Sequence, residues 1–127
     1  MNLESIVYDV VVVGAGNAAL CAALSARDHG ASVLMVEKAA RYEQGGNCPF
    51  TGGGFRFVHN GMEDVRVFTD NLDTCDTRIG EMTAYTSDNY RDHLLMVTEG
   101  DTDRDLMEIL ISHSRPTMRW MLSKGVR

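Results

Sequence analysis

Two short unbroken apolar runs, residues 10–13 (Val-Val-Val-Val) and 33–36 (Val-Leu-Met-Val), bracket a stretch rich in alanine and leucine. Runs of this length, bounded by turn signals, predict buried strands. The stretch between them predicts a helix from about Asn17 to His29, entered through Gly14 and Gly16. Past residue 62 the pattern becomes helical. Residues 63–72 predict a weak helix. Thr86 or Ser87 caps a helix running to about Thr98, and Gly100 stops it. Asp101 or Thr102 caps another, through Leu106, Ile109, Leu110 and His113. Ser114 and Pro116 open a last helix, which carries Trp120, Met121 and Leu122 and ends at Gly125. Leu94, Leu95, Leu106 and Leu110 read as helix core.

The first of these patterns carries chemistry. A strand, a glycine turn, a helix, a second strand and an acid follow one another over residues 9–38. This is the order of a dinucleotide-binding unit. Gly14 permits the tight turn out of the strand. Gly16 has no Cβ, so a pyrophosphate can approach the backbone. The third glycine of the pattern is Ala19, which is small enough for helix–strand packing. The helix N-terminus turns its N–H groups and positive dipole end towards the phosphates. Glu37, at the tip of the second strand, can accept hydrogen bonds from ribose hydroxyls, and its charge disfavours a 2′-phosphate. On these residues alone FAD and NAD both remain open.

A glycine-rich loop follows the acid. Residues 41–57 hold Gly45-Gly46-Asn47-Cys48 and Thr51-Gly52-Gly53-Gly54, a composition that lets backbone pass close to a flat ligand. Together with Glu37-Lys38, these motifs resemble the flavoprotein subunits of the fumarate reductase and succinate dehydrogenase superfamily. Residues 16–24, 92–103 and 114–121 are most similar to its tricarballylate-oxidising branch. The resemblance covers essentially all 127 residues, and the first 60 or so carry its FAD-specific part.

That resemblance implies a fold class of α/β, the N-terminal portion of a Rossmann-like FAD-binding domain followed by a mostly helical segment. Residues 1–62 would form the FAD-binding βαβ unit and flavin loop. Residues 63–127 would form a helical segment of the same discontinuous domain, with a C-terminal remainder completing it. Gly14, Ala15, Gly16, Asn17 and Ala18 would face the FAD pyrophosphate. Glu37 and Lys38 would lie at the adenosine ribose. Gly46, Asn47, Cys48, Thr51, Gly52 and Gly53 would run beside the ribityl chain and isoalloxazine ring. Covalently flavinylated members carry histidine where this chain has Asn47, so the resemblance implies non-covalent FAD. Cys48 reads as a small polar filler. The implied activity is an FAD-dependent dehydrogenase or reductase of the whole protein, with a small carboxylate substrate such as tricarballylate and an unidentified electron acceptor. Fumarate reductase and ketosteroid dehydrogenase relatives, and a non-catalytic nucleotide-binding piece, remain alternatives. The proton-transfer and carboxylate-binding residues are expected in the remainder, so no catalytic residue is assigned and the chain alone is expected to be inactive.

Composition narrows the rest. Hydrophobic residues make up 44% and charged residues 24%, ordinary for a globular chain. A net charge of −6 disfavours nucleic acid and anionic membrane. Cys21, Cys48 and Cys75 cannot all pair and lack metal spacing, so they read as reduced thiols of a cytoplasmic protein. No signal peptide, no membrane span and no metal site are expected. Residues 101–105 open like a calcium loop but lack its glycine and glutamate, so they read as capping acids. His29, His59, His93 and His113 have no metal spacing. Arg56, Arg115 and Arg119 suit carboxylates, and nothing in the sequence brings them together.

Overall fold

A computed structural model describes residues 6–69 and 82–126. The chain forms two compact units, Met1–Gly54 and Phe55–Arg127. The division falls inside the stretch read as the flavin loop, so the apolar run at residues 55–58 belongs to the second unit.

In the first unit, β1 (Val10–Val13), α1 (Asn17–Asp28) and β2 (Val33–Val36) form a βαβ unit. The strands pair in parallel, with Val10 opposite Val33 and Val13 opposite Val36. Four valines in a row favour extended backbone because two heavy atoms on Cβ restrict χ1. Helix α1 packs on both strands. Val12 and Ala23 are buried, the valine from the strand and the alanine from the helix. The alternate residues of β1 look the other way, and Val13 is 83% exposed. The strand entrance is tied by side chains: Ser32 N–H and Ser32 Oγ both donate to Asp9 Oδ2, at 2.8 and 2.6 Å. That hydrogen bonding holds the Asp9 carboxyl below its ordinary range. After α1, His29 closes the helix and Gly30 turns the chain at φ +83°. A short 3₁₀ turn, Cys48–Phe50, completes the ordered pieces of this unit.

The second unit holds α2 (Met62–Arg66), α3 (Ser87–Val97) and α4 (Arg104–Ser123). The weak helix expected over residues 63–72 is α2, five residues long; positions 70–72 lie outside the described residues. Thr86 caps α3 with a full capping box, since its hydroxyl accepts from Asn89 N–H while Asn89 Oδ1 accepts from Thr86 N–H. Gly100, at φ +82°, donates to Leu95 O and stops the helix.

Two helices expected between residues 101 and 125 are instead one. Helix α4 runs unbroken from Arg104 to Ser123 with Pro116 inside it, and its N-cap is Asp103, not Asp101 or Thr102. The Asp103 carboxylate accepts from Leu106 N–H at 3.0 Å. Proline removes one helical N–H bond. The helix survives because a single stripe, Met107, Ile111, Ser114 and Met121, is buried on both sides of it. Ile111 is 2% exposed and, with Met107 and Tyr90, forms the core against which Val58, Tyr85, Leu94 and Leu95 pack. Arg91 ties α3 to α4 by donating Nε and Nη2 to the two Glu108 oxygens at 2.6 and 3.0 Å. Ser114 Oγ donates to Ile111 O and accepts from Val58 N–H, which anchors the segment before α2. His59 and Tyr85 pair as a single antiparallel bridge. Among the described residues no helix is long and apolar enough to cross a membrane.

Candidate cofactor-binding cleft

The site is built at the exit of β1. Gly14 donates its N–H to Val36 O at 2.7 Å, which holds the two strand ends level. Its φ is +111°, a region that disfavours any side chain. Gly16 is the N-cap of α1, with extended backbone and no side-chain cap. The first-turn amides of a helix have no intrahelical acceptor, so this end offers N–H groups and the positive dipole end to an anion. A Cβ on Gly16 would lie 3.5 Å from Gly45 O. That is an ordinary contact, so the glycine loop does not itself require this glycine; its missing side chain leaves room for a ligand to approach the backbone.

Glu37 does more than its strand-tip position predicted. Its Oε2 accepts from Ala15 N–H and its Oε1 from Ala39 N–H, both at 2.8 Å. The Ala39 amide, with lesser help from Ala15 and Lys38, holds the carboxyl below its ordinary range against the opposing cost of desolvation. Glu37 therefore braces the glycine turn from across 22 residues of sequence. Each oxygen has a lone pair left over, so the carboxylate can still accept hydroxyl donors.

Gly14, Ala15, Gly16, Glu37, Lys38 and Gly46 come together around a cleft of about 600 Å³, within the range of cofactor sites. A neighbouring cleft of about 480 Å³ shares Ala15 and Glu37 and adds Cys48. Asn17 N–H donates to Cys48 Sγ at 3.1 Å. The thiol thus sits at the helix N-terminus, and the filler reading gains a definite hydrogen-bond partner. Ala18 is an exposed residue in the first turn of α1. Asn47, Thr51, Gly52 and Gly53 are also exposed and line neither cleft. Thr51 Oγ1 donates to Cys48 O and accepts from Gly53 N–H, shaping the loop. Cys75 lies outside the described residues.

The sequence reading missed Ala39 and Glu43, which also line the larger cleft. The signal for Glu43 was its place immediately before Gln44-Gly45-Gly46 in a loop already singled out. Among the described residues no group of three or more histidines, cysteines and acids could hold a metal. Of the three arginines considered for carboxylates, Arg115 is engaged with Asp64 and Arg119 is exposed.

Residues 9–127 match a family described as an FAD binding domain. The chain is 32% identical over 119 residues to a fumarate reductase (cytochrome) of Shewanella frigidimarina, covering 92% of this chain and 18% of that protein. It is 44% identical over 64 residues to an NADH:fumarate oxidoreductase of Klebsiella pneumoniae, covering 50% of this chain and 7% of that protein. It is 49% identical over 53 residues to a 3-oxosteroid 1-dehydrogenase of Mycolicibacterium smegmatis, covering 42% of this chain and 9% of that protein. The chain thus spans less than a fifth of the length of these relatives.

Proposed function

The chain belongs to the FAD-binding-domain family, and from that premise we propose that the whole protein is an FAD-dependent oxidoreductase acting on a carbon–carbon bond of a small carboxylate. The observation that carries the reading is the Gly14–Gly16 turn, braced by Glu37 at the N-terminus of α1 beside a cleft of about 600 Å³. In this reading Gly14, Ala15, Gly16, Asn17 and Ala18 receive the pyrophosphate on backbone N–H groups. Glu37 accepts from the ribose through its spare lone pairs, with Lys38 alongside. Gly46, Asn47, Cys48, Thr51, Gly52 and Gly53 follow the rest of the cofactor. Asn47 offers no nucleophilic ring nitrogen, which supports non-covalent attachment.

Bound flavin supplies two-electron redox chemistry; the chain's residues bind it, orient it and hold its charge. Oxidation of a saturated polycarboxylate such as tricarballylate removes a hydride and a neighbouring proton, leaving an alkene, and the electrons pass to an unidentified acceptor. The proton-transfer groups and the remaining strands of a Rossmann-like sheet are assigned to sequence beyond this chain. The three cysteines read as reduced thiols and support a cytoplasmic setting.

A second reading runs the chemistry in the other direction, reducing an alkene such as fumarate. It is favoured by the identity to the Shewanella protein over nearly the whole chain. One experiment separates the two. Anaerobic full-length protein is mixed with tricarballylate, and flavin bleaching is followed; pre-reduced protein is then mixed with fumarate, and reoxidation is followed. Bleaching supports the dehydrogenase, fast reoxidation by fumarate supports the reductase, and the absence of both responses overturns the proposal.

A further inference from the structure

The second unit contains a cleft that the FAD reading does not use. It holds about 310 Å³, and its lining includes Arg56, His59, Tyr85 and His93 among apolar side chains such as Phe55 and Met82. Among the described residues no aspartate or glutamate lines it. Tyr85 is the hub. The His59 ring stacks on it at 6.1 Å between centroids, the His93 ring lies at 5.4 Å, and the Arg56 guanidinium carbon is 6.0 Å from its centroid. Arg56 is equally far from the Tyr90 ring. Among the described residues Arg56 makes no ion pair. A guanidinium over tyrosine faces keeps its planar fork of N–H donors open to a carboxylate.

Hydrogen bonds fix what the histidines offer. His59 Nδ1 lies 3.2 Å from Gly61 N–H and accepts from it. Its neutral ring must therefore carry the proton on Nε2, which is then a donor. His93 Nδ1 lies 2.9 Å from the Tyr85 hydroxyl. When that hydroxyl donates, His93 likewise presents Nε2–H. Among the described residues the cleft thus combines a guanidinium without an ion pair, an imidazole donor at His59, a second at His93 when the Tyr85 hydroxyl donates, and apolar or aromatic walls. A carboxylate satisfies the donors, and a flat apolar body satisfies the walls.

We propose that the Arg56–His59–Tyr85–His93 cleft of the second unit binds a small organic carboxylate with an apolar body. The test titrates benzoate calorimetrically into FAD-saturated protein, with benzamide as the neutral isostere and succinate as a carboxylate lacking the apolar body. Benzoate is expected to bind at one site, and benzamide and succinate at least about tenfold more weakly. Arg56→Gln should weaken benzoate by about tenfold or more, and His93→Gln by severalfold, with FAD affinity unchanged. Equal binding of benzoate and benzamide overturns the proposal, as does full retention by Arg56→Gln. Benzoate binding that is lost in Gly16→Ala but kept in Arg56→Gln assigns the anion to the nucleotide cleft instead, and also overturns it.

Discussion

Gly14 and Gly16 sit two residues apart, yet the structure assigns them different jobs, and two alanine substitutions separate these. At Gly14 the added methyl meets only Ala19 Cβ at 3.9 Å, an ordinary contact. The cost there is conformational, because φ is +111°. Holding a residue with a side chain in so sparse a region costs about 1–3 kcal/mol. For a small folded unit each kcal/mol lowers Tm by about 4–8 °C, so Gly14→Ala should melt roughly 4–24 °C lower. At Gly16 the backbone is extended with φ −76°, which alanine adopts freely. Its methyl would stand 3.5 Å from Gly45 O, an ordinary contact, on a residue that lines the larger cleft. Gly16→Ala should therefore cost only about 1 kcal/mol, as alanine is a poorer N-cap than glycine, but weaken FAD by at least about tenfold. Thermal unfolding by circular dichroism and flavin-fluorescence titration read the two effects. A Gly14→Ala protein as stable as the parent refutes the strain argument. A Gly16→Ala protein that binds FAD normally removes the turn from the site.

Further outcomes follow from the same geometry. Ile111→Ala empties the best-buried position of the second unit and should cost about 2–5 kcal/mol in a urea titration; a loss below 1 kcal/mol would mean the helical core is not where stability resides. Thr86→Ala removes the capping hydroxyl of α3 and should cost about 0.5–2 kcal/mol, which chemical denaturation resolves. Asp9, Glu37 and Glu108 all titrate below their ordinary values of 3.8 and 4.5 when folded. Their contribution is complete above those values and is lost as pH falls through the lower folded ones, so Tm should drop as pH falls below about 5; a flat profile would contradict the carboxylate contacts. Acid precipitation of the full-length protein should release its flavin into the supernatant, whereas flavin held in the pellet would disprove the non-covalent reading drawn from Asn47.

The βαβ unit was legible because its determinants are local. Four valines, two glycines and an alanine-rich run specify strand, turn and helix within residues 10–28. The acid at position 37 was legible as the tip of the second strand, but its bonds to Ala15 and Ala39 were not, since they depend on strand register. Pro116 misled for a physical reason. Propensity counts the lost N–H bond, while the burial of Met107, Ile111, Ser114 and Met121 on one stripe outweighs it only once α4 has something to pack on. The Arg56 cleft could not be read at all. It is gathered by a single bridge between His59 and Tyr85, residues 26 apart along the chain, and no periodicity marks that pairing.

The brace from Glu37 to Ala15 has a kinetic side. Apart from the Asn17 N–H to Cys48 Sγ bond at the helix N-terminus, the bonds that shape the glycine turn join residues between Asp9 and Ala39: Asp9 to Ser32, Val10 to Ser32, Gly14 to Val36, Ala15 to Glu37 and Ala39 to Glu37. Loop-closure entropy rises only slowly with length, and each of these closures spans fewer than 25 residues. The turn can therefore assemble from its own thirty or so residues, in the order in which they leave the ribosome, before any later segment exists to pack against it.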